Sequence, residues 1–337
     1  MIEPLIYDPE KNILRILDQR LLPFEEKYVI AESGYDVARA IKDMVLRGAP
    51  LIAVAGAYGI LMEAKKGAGK EELMNVMDAL RKSRPTAVNL FNIMKVLEDV
   101  LHETDDLKSA IEQKVEEFVA HEKEIYDRIG EAGSTLIPED STVITYCNTG
   151  FLATIGIGTA IGVIYRAFQK GKIKEVIVPE TRPYLQGARL TIYEMRKLGI
   201  PHRLITDNTA PFLMEMGKVD FVVVGADRVV LNGDVANKIG TLSLALAARE
   251  FHVPFYTALP ISTIDFRSRD FSQVKIEERG SEEVIFIRGK PITYPDTPTY
   301  HYAFDITPSR FINGYITEEG VFESMDELVR SIRQEKR

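Results

Sequence analysis

The pattern of hydrophobic and polar positions changes once along the chain, near residue 135. Before that point, from about residue 25, apolar residues recur at helical spacing, and the runs with this spacing are 36–46, 49–64, 70–101 and 106–130. The third run is expected to break near Pro85, because proline disfavours helix at the residue before it. The first part of the chain therefore predicts a mainly helical domain with a short β-rich start over about residues 1–25.

After residue 138, short β-branched runs alternate with helical stretches. The β-branched runs predict strands over 142–146, 175–178, 202–205, 221–224 and 254–258, and the stretches between them predict helices over 153–169, 184–198, 212–216 and 238–250. Near-continuous apolar strands separated by helices are typical of a parallel sheet covered on both faces. We therefore predict an α/β fold, with a mainly helical N-terminal domain at 1–130 and a Rossmann-like, doubly wound parallel-sheet domain at 131–337.

Composition narrows the class of protein. The 337 residues are 45% hydrophobic and 27% charged, as in an ordinary globular chain with a sizeable core. No apolar run approaches the roughly 18 residues of a membrane helix, and the amino terminus is not a basic and apolar leader, so we expect a cytoplasmic protein without membrane contact. The net charge of −8 disfavours general nucleic-acid binding. The single cysteine, Cys147, excludes an intrachain disulfide and a cysteine-rich zinc site.

Polar residues follow the predicted strands as a set. The run TYCNTG at 145–150 places Cys147 at the end of the first strand, and GADR at 225–228 places Asp227 after the fourth. The runs ETR at 180–182 and DN at 207–208 follow the second and third. The carboxyl ends of parallel strands share one edge, where open α/β sheets bind ligands. A thiol and a carboxylate at that edge are candidates for proton transfer on a small ligand.

Each of these residues also has a structural interpretation. Asp, Asn and Thr are favoured in turns and helix caps, and a free cysteine is commonly a small buried hydrophobe. The polar Asn-Thr-Gly turn after Cys147 favours a reactive thiol instead. Asp227 could be a structural acid paired with Arg228, or it could hold a proton near neutrality if an apolar pocket desolvates it.

Two segments of the helical domain have the composition of anion sites. The run LRGAP at 46–50 places Arg47 and Gly48 before Ala49 and a predicted helix, whose amides and dipole favour phosphate. The run SRPTAVN at 83–89 is a similar break with a second arginine, Arg84. A structural turn with a surface salt bridge explains either segment equally well.

Cofactor motifs are weak or absent in the sequence. The run GIGTAIG at 156–162 resembles a dinucleotide fingerprint, but its last spacing is one residue too long and it begins ten residues after the predicted strand. Close helix packing explains these glycines better. The sequence has no Walker A lysine motif, and its five histidines offer no metal-ligand spacing.

Together, these runs resemble the methylthioribose-1-phosphate isomerase family. The resemblance covers most of the chain, and it rests on RGAP (47–50), SRPTAVN (83–89), CNTG (147–150), ETRPYLQGAR (180–189), GADR (225–228), NGDVANKIGT (232–241), PISTID (260–265), IEER (276–279) and AFD (303–305). It implies an aldose–ketose isomerase of methionine salvage that interconverts 5-methylthioribose 1-phosphate and 5-methylthioribulose 1-phosphate without metal or nicotinamide. It also implies a homodimer.

The resemblance assigns functions to individual residues. It implies that Cys147 stabilises or assists the hydrogen transfer between C2 and C1 and that Asp227 acts as an acid. The phosphate and sugar contacts that it implies are Arg47, Gly48, Ala49, Arg84, Gln186, Asn237 and Lys238.

The chain departs from the family's usual pattern at a few positions. Tyr146 replaces a His before the cysteine, Ile157 replaces a Tyr, TAPF at 209–212 replaces a run like Met-Ala-Gly-Trp, and HY at 301–302 replaces Asn-Pro. These departures bear on the substrate more than on the reaction. Isomerases of 5-deoxyribose 1-phosphate or ribose 1,5-bisphosphate are therefore alternatives.

Two further classes of protein compete with an isomerase. The fold also resembles the regulatory subunits of the translation-initiation guanine-nucleotide exchange factor, which bind partner proteins. A purely regulatory subunit has no chemical need for the Cys147 and Asp227 pair, so this pair favours the enzyme. A nicotinamide-dependent dehydrogenase is disfavoured by the missing fingerprint.

Overall fold

A computed structural model of the chain describes residues 2–85, 87–274, 276 and 278–335. Two residues of the runs that carry the family resemblance, Thr86 of SRPTAVN and Glu277 of IEER, lie outside the described residues. The helices are α1 Gly34–Lys42, α2 Ala49–Lys65, α3 Lys70–Ser83, α4 Val88–Glu103, α5 Leu107–Ser134, α6 Ala160–Gln169, α7 Ile192–Leu198, α8 Ala210–Glu215, α9 Thr241–Glu250, α10 Glu282–Ile285 and α11 Met325–Glu335. Within the described residues, no helix is long and apolar enough to cross a membrane.

Among the described residues, the strands fall into four sheets. They are β1 Leu5–Asp8, β2 Ile13–Leu17, β3 Tyr28–Ala31, β4 Ser141–Ile144, β5 Ile173–Pro179, β6 His202–Ile205, β7 Phe221–Val224, β8 Arg228–Val230, β9 Val235–Lys238, β10 Phe255–Ala258, β11 Ile264–Asp265, β12 Phe286–Ile287, β13 Lys290–Pro291, β14 Phe304–Thr307, β15 Gly314–Thr317 and β16 Gly320–Phe322. A π-helical turn, Gly187–Thr191, directly precedes α7.

The chain divides into two compact units. The first comprises the residues up to Tyr126 together with Thr149–Gly158, and the second comprises Asp127–Asn148 and the residues from Thr159 onward. The chain therefore leaves the second unit directly after Asn148 and returns to it ten residues later. The domain boundary between residues 130 and 131 stays a prediction.

The first unit combines a three-stranded antiparallel sheet, β1-β2-β3, with a helical core. Helix α2 is apolar on all sides and almost entirely buried, as a helix surrounded by other helices must be. Helix α1 begins where Ser33 caps it, because the Ser33 side chain accepts the Asp36 N–H. The predicted break in the third helical run is confirmed, since α3 ends at Ser83 before Pro85 and α4 begins at Val88 after it.

The second unit is built on a seven-stranded sheet with the order β16-β15-β10-β7-β4-β5-β6. All its neighbouring pairs are parallel except β15 with β16. The chain builds one half of the sheet outward from β4 through β5 to β6, and the other half from β7 through β10 to β15. This order is that of a doubly wound Rossmann-like sheet, so the predicted fold class is confirmed.

A second small sheet, with the order β11-β8-β9-β14, was not predicted. Lys238 ends strand β9, so the helix predicted from this residue is wrong at its start, and helix α9 begins at Thr241. The missed signal is an Asn-Gly-Asp turn at 232–234 between two valine-containing runs, which is a hairpin pattern. The helix predicted from residue 153 begins at Ala160, because residues 149–158 belong to the first unit.

Candidate active site

The two catalytic candidates lie on either side of the point where the order of the sheet reverses. Strands β4 and β7 are neighbours, with Ile144 opposite Val222. Cys147 comes three residues after the end of β4, and Asp227 comes three residues after the end of β7. In open α/β sheets, ligands bind in the crevice outside the carboxyl ends of the strands at this position.

The backbone of Cys147 is held in an unusual conformation. Its φ angle is +64°, in the left-handed region that residues with side chains rarely adopt, and the residue is buried. Its N–H donates to Thr181 Oγ1 at 3.1 Å, and its C=O accepts a hydrogen bond from Thr191 Oγ1 at 2.6 Å. Strained non-glycine residues of this kind cluster at functional sites.

The residue that follows Cys147 donates hydrogen bonds to two buried side chains. Asn148 Nδ2 donates to Glu194 Oε1 at 2.8 Å and to Thr191 Oγ1 at 3.3 Å. Both acceptor residues are fully buried. The amide of Asn148 therefore fixes the chain on the carboxyl-terminal side of the thiol.

Gln186 lies just before the π-helical turn and has an unsatisfied acceptor. Its side chain is buried, and Oε1 accepts no hydrogen bond from any of the described residues. Leaving a buried acceptor without a donor costs about 1–3 kcal/mol. A ligand hydroxyl would supply that donor, which supports the assignment of Gln186 to substrate binding.

Asp227 is placed differently from the thiol. Its side chain is exposed, whereas Cys147 is buried. Arg228 lies 3.6 Å from Asp265, measured between Nη1 and Oδ2. The backbone N–H of Asp227 donates to Ala236 O at 2.9 Å, which brings Asp227 beside the end of β9.

Asn237 and Lys238 end β9, and both are buried. Lys238 Nζ donates to Ala303 O at 3.1 Å and lies 4.4 Å from the centre of the Phe304 ring. The Tyr146 hydroxyl donates to Ile239 O at 3.0 Å. This bond joins the residue before Cys147 to the residue after Lys238, so the chain segments that carry the thiol and the buried ammonium group are in contact.

Two carboxyl groups accept backbone N–H groups near these residues, and the sequence analysis assigned a function to neither. Asp305 accepts the N–H groups of Gly240 at 2.7 Å and Leu242 at 3.2 Å, at the start of α9. Burial raises the pKa of Asp305 to about 6, although these two N–H groups and the charge of Lys238 oppose the shift. In the sequence, Asp305 is part of the run AFD at 303–305, which contributes to the family resemblance but indicates no function for this residue.

Asp207 is the second of these carboxylates. Its two oxygens accept the N–H groups of Thr181 and Arg182, each at 2.7 Å. Burial raises the pKa of Asp207, while the two N–H groups, the charge of Arg182 and the Tyr146 hydroxyl oppose the shift. The sequence had placed Asp207 at the sheet edge without a function.

The remaining candidates lie in the first unit. Gly48 precedes α2 with a φ angle of +94°, and a Cβ atom there would lie 2.4 Å from Ala153 O, so only glycine fits. Ala49 is the first residue of α2, and Arg47 is half-buried beside it. Arg84 Nη1 donates to Met44 Sδ at 2.7 Å, which places its guanidinium group against the segment that leads to Arg47.

The nine predicted site residues thus form two groups. The first unit holds Arg47, Gly48, Ala49 and Arg84, and the second unit holds Cys147, Gln186, Asp227, Asn237 and Lys238. Throughout the described ranges, no group of His, Cys, Asp and Glu side chains is arranged to hold a metal ion.

The chain is similar to known proteins of one family. The model of the initiation factor 2 subunit family matches residues 45–324. The methylthioribose-1-phosphate isomerase of Caldicellulosiruptor saccharolyticus is 45% identical over 338 residues, covering 97% of this chain and 99% of that protein.

Two solved structures are similar over nearly the whole chain. The 5-methylthioribose 1-phosphate isomerase of Pyrococcus horikoshii OT3 is 38% identical with a TM-score of 0.93, covering 99% of this chain and 96% of that one. The delta subunit of translation initiation factor eIF-2B from A. fulgidus is 37% identical with a TM-score of 0.89, covering 96% of each chain.

The fold and the polar groups that follow β4 and β7 define a Rossmann-like α/β protein, with a candidate small-ligand site where the strand order of the large sheet reverses. The chain belongs to the initiation factor 2 subunit family, and its resemblance to the methylthioribose-1-phosphate isomerases of that family is confirmed.

Proposed function

We propose that this protein converts 5-methylthioribose 1-phosphate to 5-methylthioribulose 1-phosphate, as an aldose–ketose isomerase of methionine salvage. The observation that carries the proposal is the identity of 45% over nearly the full length of a methylthioribose-1-phosphate isomerase. The geometry supports it, because a thiol and a carboxyl group follow the two neighbouring strands at which the sheet order reverses.

The reaction needs ring opening followed by hydrogen transfer. Phosphate caps the anomeric carbon of the substrate, so the ring must open with the phosphate retained before hydrogen moves between C2 and C1. Cys147 assists that transfer, and Asp227 acts as the acid. Asp227 is exposed in the structure, so a bound sugar that covers it would provide the desolvation that lets a carboxyl group hold a proton.

The binding residues supply charge and hydrogen bonds. In the second unit, the Lys238 ammonium group attracts an anion, while Asn237 and Gln186 are side-chain amides that bind sugar hydroxyls. In the first unit, Arg47 comes directly before the start of helix α2, where Gly48 and Ala49 present backbone to a phosphate. The Arg84 guanidinium group contacts Met44, in the segment that leads to Arg47. We assign these residues to the phosphate and sugar.

The eIF-2B delta subunit from A. fulgidus favours a second candidate function, that of a partner-binding regulatory subunit, because it is 37% identical to this chain. Cys147 and Asp227 favour the enzyme over that candidate, since partner binding gives neither group chemical work. The proposal includes a cytoplasmic homodimer, which sedimentation would contradict by showing only a monomer.

A substrate panel tests the proposed function. Initial rates are measured with 5-methylthioribose 1-phosphate, 5-deoxyribose 1-phosphate and ribose 1,5-bisphosphate, without added metal or cofactor. We expect 5-methylthioribose 1-phosphate to have the highest kcat/KM. A higher value for either other sugar would reassign the substrate. No conversion of any of the three by the folded protein would refute the isomerase and favour the regulatory subunit.

A further inference from the structure

The backbone around Cys147 concentrates conformational strain. Cys147, Thr181 and Leu185 all have φ angles between +61° and +64°. Thr181 is the most unfavourable of the three, because β-branched residues are outliers in the left-handed region. Such conformations persist only where the surrounding contacts enforce them. The contacts that enforce this one therefore determine where the thiol lies.

Thr181 is the direct contact on the amino-terminal side of the thiol. It is fully buried, and its Oγ1 accepts the Cys147 N–H at 3.1 Å. The same hydroxyl donates its own hydrogen to Pro179 O at 3.2 Å. The hydroxyl therefore donates to one backbone group and accepts from another, and it connects the end of β5 to the turn after β4.

Asp207 in turn holds Thr181. One carboxylate oxygen accepts the Thr181 N–H and the other accepts the Arg182 N–H, each at 2.7 Å. Hydrogen bonds to an ionised carboxylate are shorter and stronger than neutral ones. Asp207 at the end of β6 thereby fixes the strained turn after β5, which in turn fixes the turn after β4.

Thr191 completes the arrangement on the carboxyl-terminal side of the thiol. It ends the π-helical turn Gly187–Thr191, and its Oγ1 donates to Cys147 O at 2.6 Å. Asn148 Nδ2 lies 3.3 Å from the same oxygen and donates to it, so the hydroxyl hydrogen is directed at Cys147 O. Both peptide groups of Cys147 are therefore bonded to buried threonine hydroxyls.

We propose that Thr181, held by Asp207, is a positioning residue that sets the location of the Cys147 thiol. Neither residue needs to touch the substrate. The effect on turnover rests on the proposed function, whereas the effect on the thiol itself does not. A misplacement of a reacting group by about 1 Å can cost about 10²-fold in rate.

The test uses two substitutions at Thr181 and one matched control. Thr181→Val removes the hydroxyl and keeps the shape, and Thr181→Ser keeps the hydroxyl. Thr317→Val is the control, because Thr317 is another fully buried threonine of the second unit whose Oγ1 accepts a backbone N–H, that of Glu319 at 3.2 Å. Each variant is assayed for kcat, KM and melting temperature.

Alkylation provides a second readout that needs no substrate. Cys147 is the only cysteine, so the rate of iodoacetamide incorporation into the folded protein reports on this thiol alone. In Thr181→Val we expect kcat to fall by about 10²-fold with KM changed less than about threefold. We expect alkylation to become at least about tenfold faster, because the thiol leaves its buried position. Thr181→Ser and Thr317→Val should resemble the wild type in both readouts.

Two results would overturn the proposal. One is a Thr181→Val protein with wild-type kcat and wild-type alkylation, and the other is a loss that Thr181→Ser does not restore. If Thr181→Val does not fold, Asp207→Asn replaces it, with the same directions expected and a kcat loss of about tenfold, since the amide keeps only one acceptor oxygen. An inactive wild type would refute the proposed function, while the alkylation rates would still decide the position of the thiol.

Discussion

Asp305 links the stability of the protein to pH in a way that the structure makes quantitative. Its carboxylate accepts the N–H groups of Gly240 and Leu242 at the start of α9, but it is largely buried, and burial raises its pKa from 3.8 to about 6. The substitution Asp305→Asn keeps the shape and one acceptor oxygen and removes the titration. The comparison of this variant with the wild type therefore isolates one carboxyl group.

The direction in which stability changes with pH depends on whether the folded or the unfolded state binds the Asp305 proton more tightly. The folded protein holds the Asp305 proton more tightly than the unfolded chain does, so this group favours folding below pH 3.8, and the benefit is lost as pH rises through about 6. A pKa of about 6 against 3.8 corresponds to about 3 kcal/mol over the full range. Between pH 4.5 and 7.5 the loss is about 2 kcal/mol.

Urea unfolding at pH 4.5, 6.0 and 7.5 measures this effect. We expect the free energy of unfolding of Asp305→Asn to rise by about 2 kcal/mol relative to the wild type between the lowest and highest pH. The substitution also changes the free energy of unfolding by an amount that is the same at every pH, and this constant difference does not test the titration of Asp305. Asp296→Asn, at an exposed aspartate of the second unit, is the control and should track the wild type. A pH-independent difference between Asp305→Asn and the wild type would refute the reasoning.

Three substitutions test other parts of the account. Cys147→Ser should keep the fold and the binding of substrate but lose about 10²-fold or more in kcat, and near-wild-type turnover would remove the thiol from the reaction. Asp227→Asn should be similarly inactive with little change in melting temperature, because the side chain is exposed, whereas a collapse in stability would indicate a structural acid. Gly240→Ala should lower the free energy of unfolding by about 3 kcal/mol, since its Cβ atom would lie 2.1 Å from the Tyr146 hydroxyl at a φ angle of +104°. A loss below about 0.5 kcal/mol in urea unfolding would contradict that contact.

The sequence predicted five strands of the seven-stranded sheet and missed β15 and β16. Strand β7 has the predicted bounds because it is a continuous apolar run that is buried at every position, which leaves few alternatives. Strand β6 also has the predicted bounds, although it lies at the edge of the sheet and its residues are only half-buried or exposed. The small sheet was missed because β8 and β11 are only a few residues long, and such strands have no periodicity to detect. The start of α6 was misplaced because glycines and small apolar residues at 153–159 are compatible with both helix and irregular chain.

The candidate site was predictable in residue type and only partly in arrangement. The position of Cys147 and Asp227 after two strands of one parallel sheet follows from the order of elements along the chain, whereas the pairing of these two strands as neighbours comes only from the structure. The exposure of Asp227 does not, because burial depends on contacts between distant segments. The support of the thiol by Thr181 and Asp207 likewise depends on φ angles and hydrogen bonds that no spacing in the sequence encodes.

The most direct test of the central claim is product formation from 5-methylthioribose 1-phosphate, followed by phosphorus NMR with the purified wild type and with Cys147→Ser in parallel. We expect the substrate signal of the wild-type sample to be replaced by that of 5-methylthioribulose 1-phosphate without added metal or cofactor, while the signal of the variant sample persists over the same period. An unchanged spectrum with folded wild-type protein, or equal conversion by both proteins, would contradict the central claim.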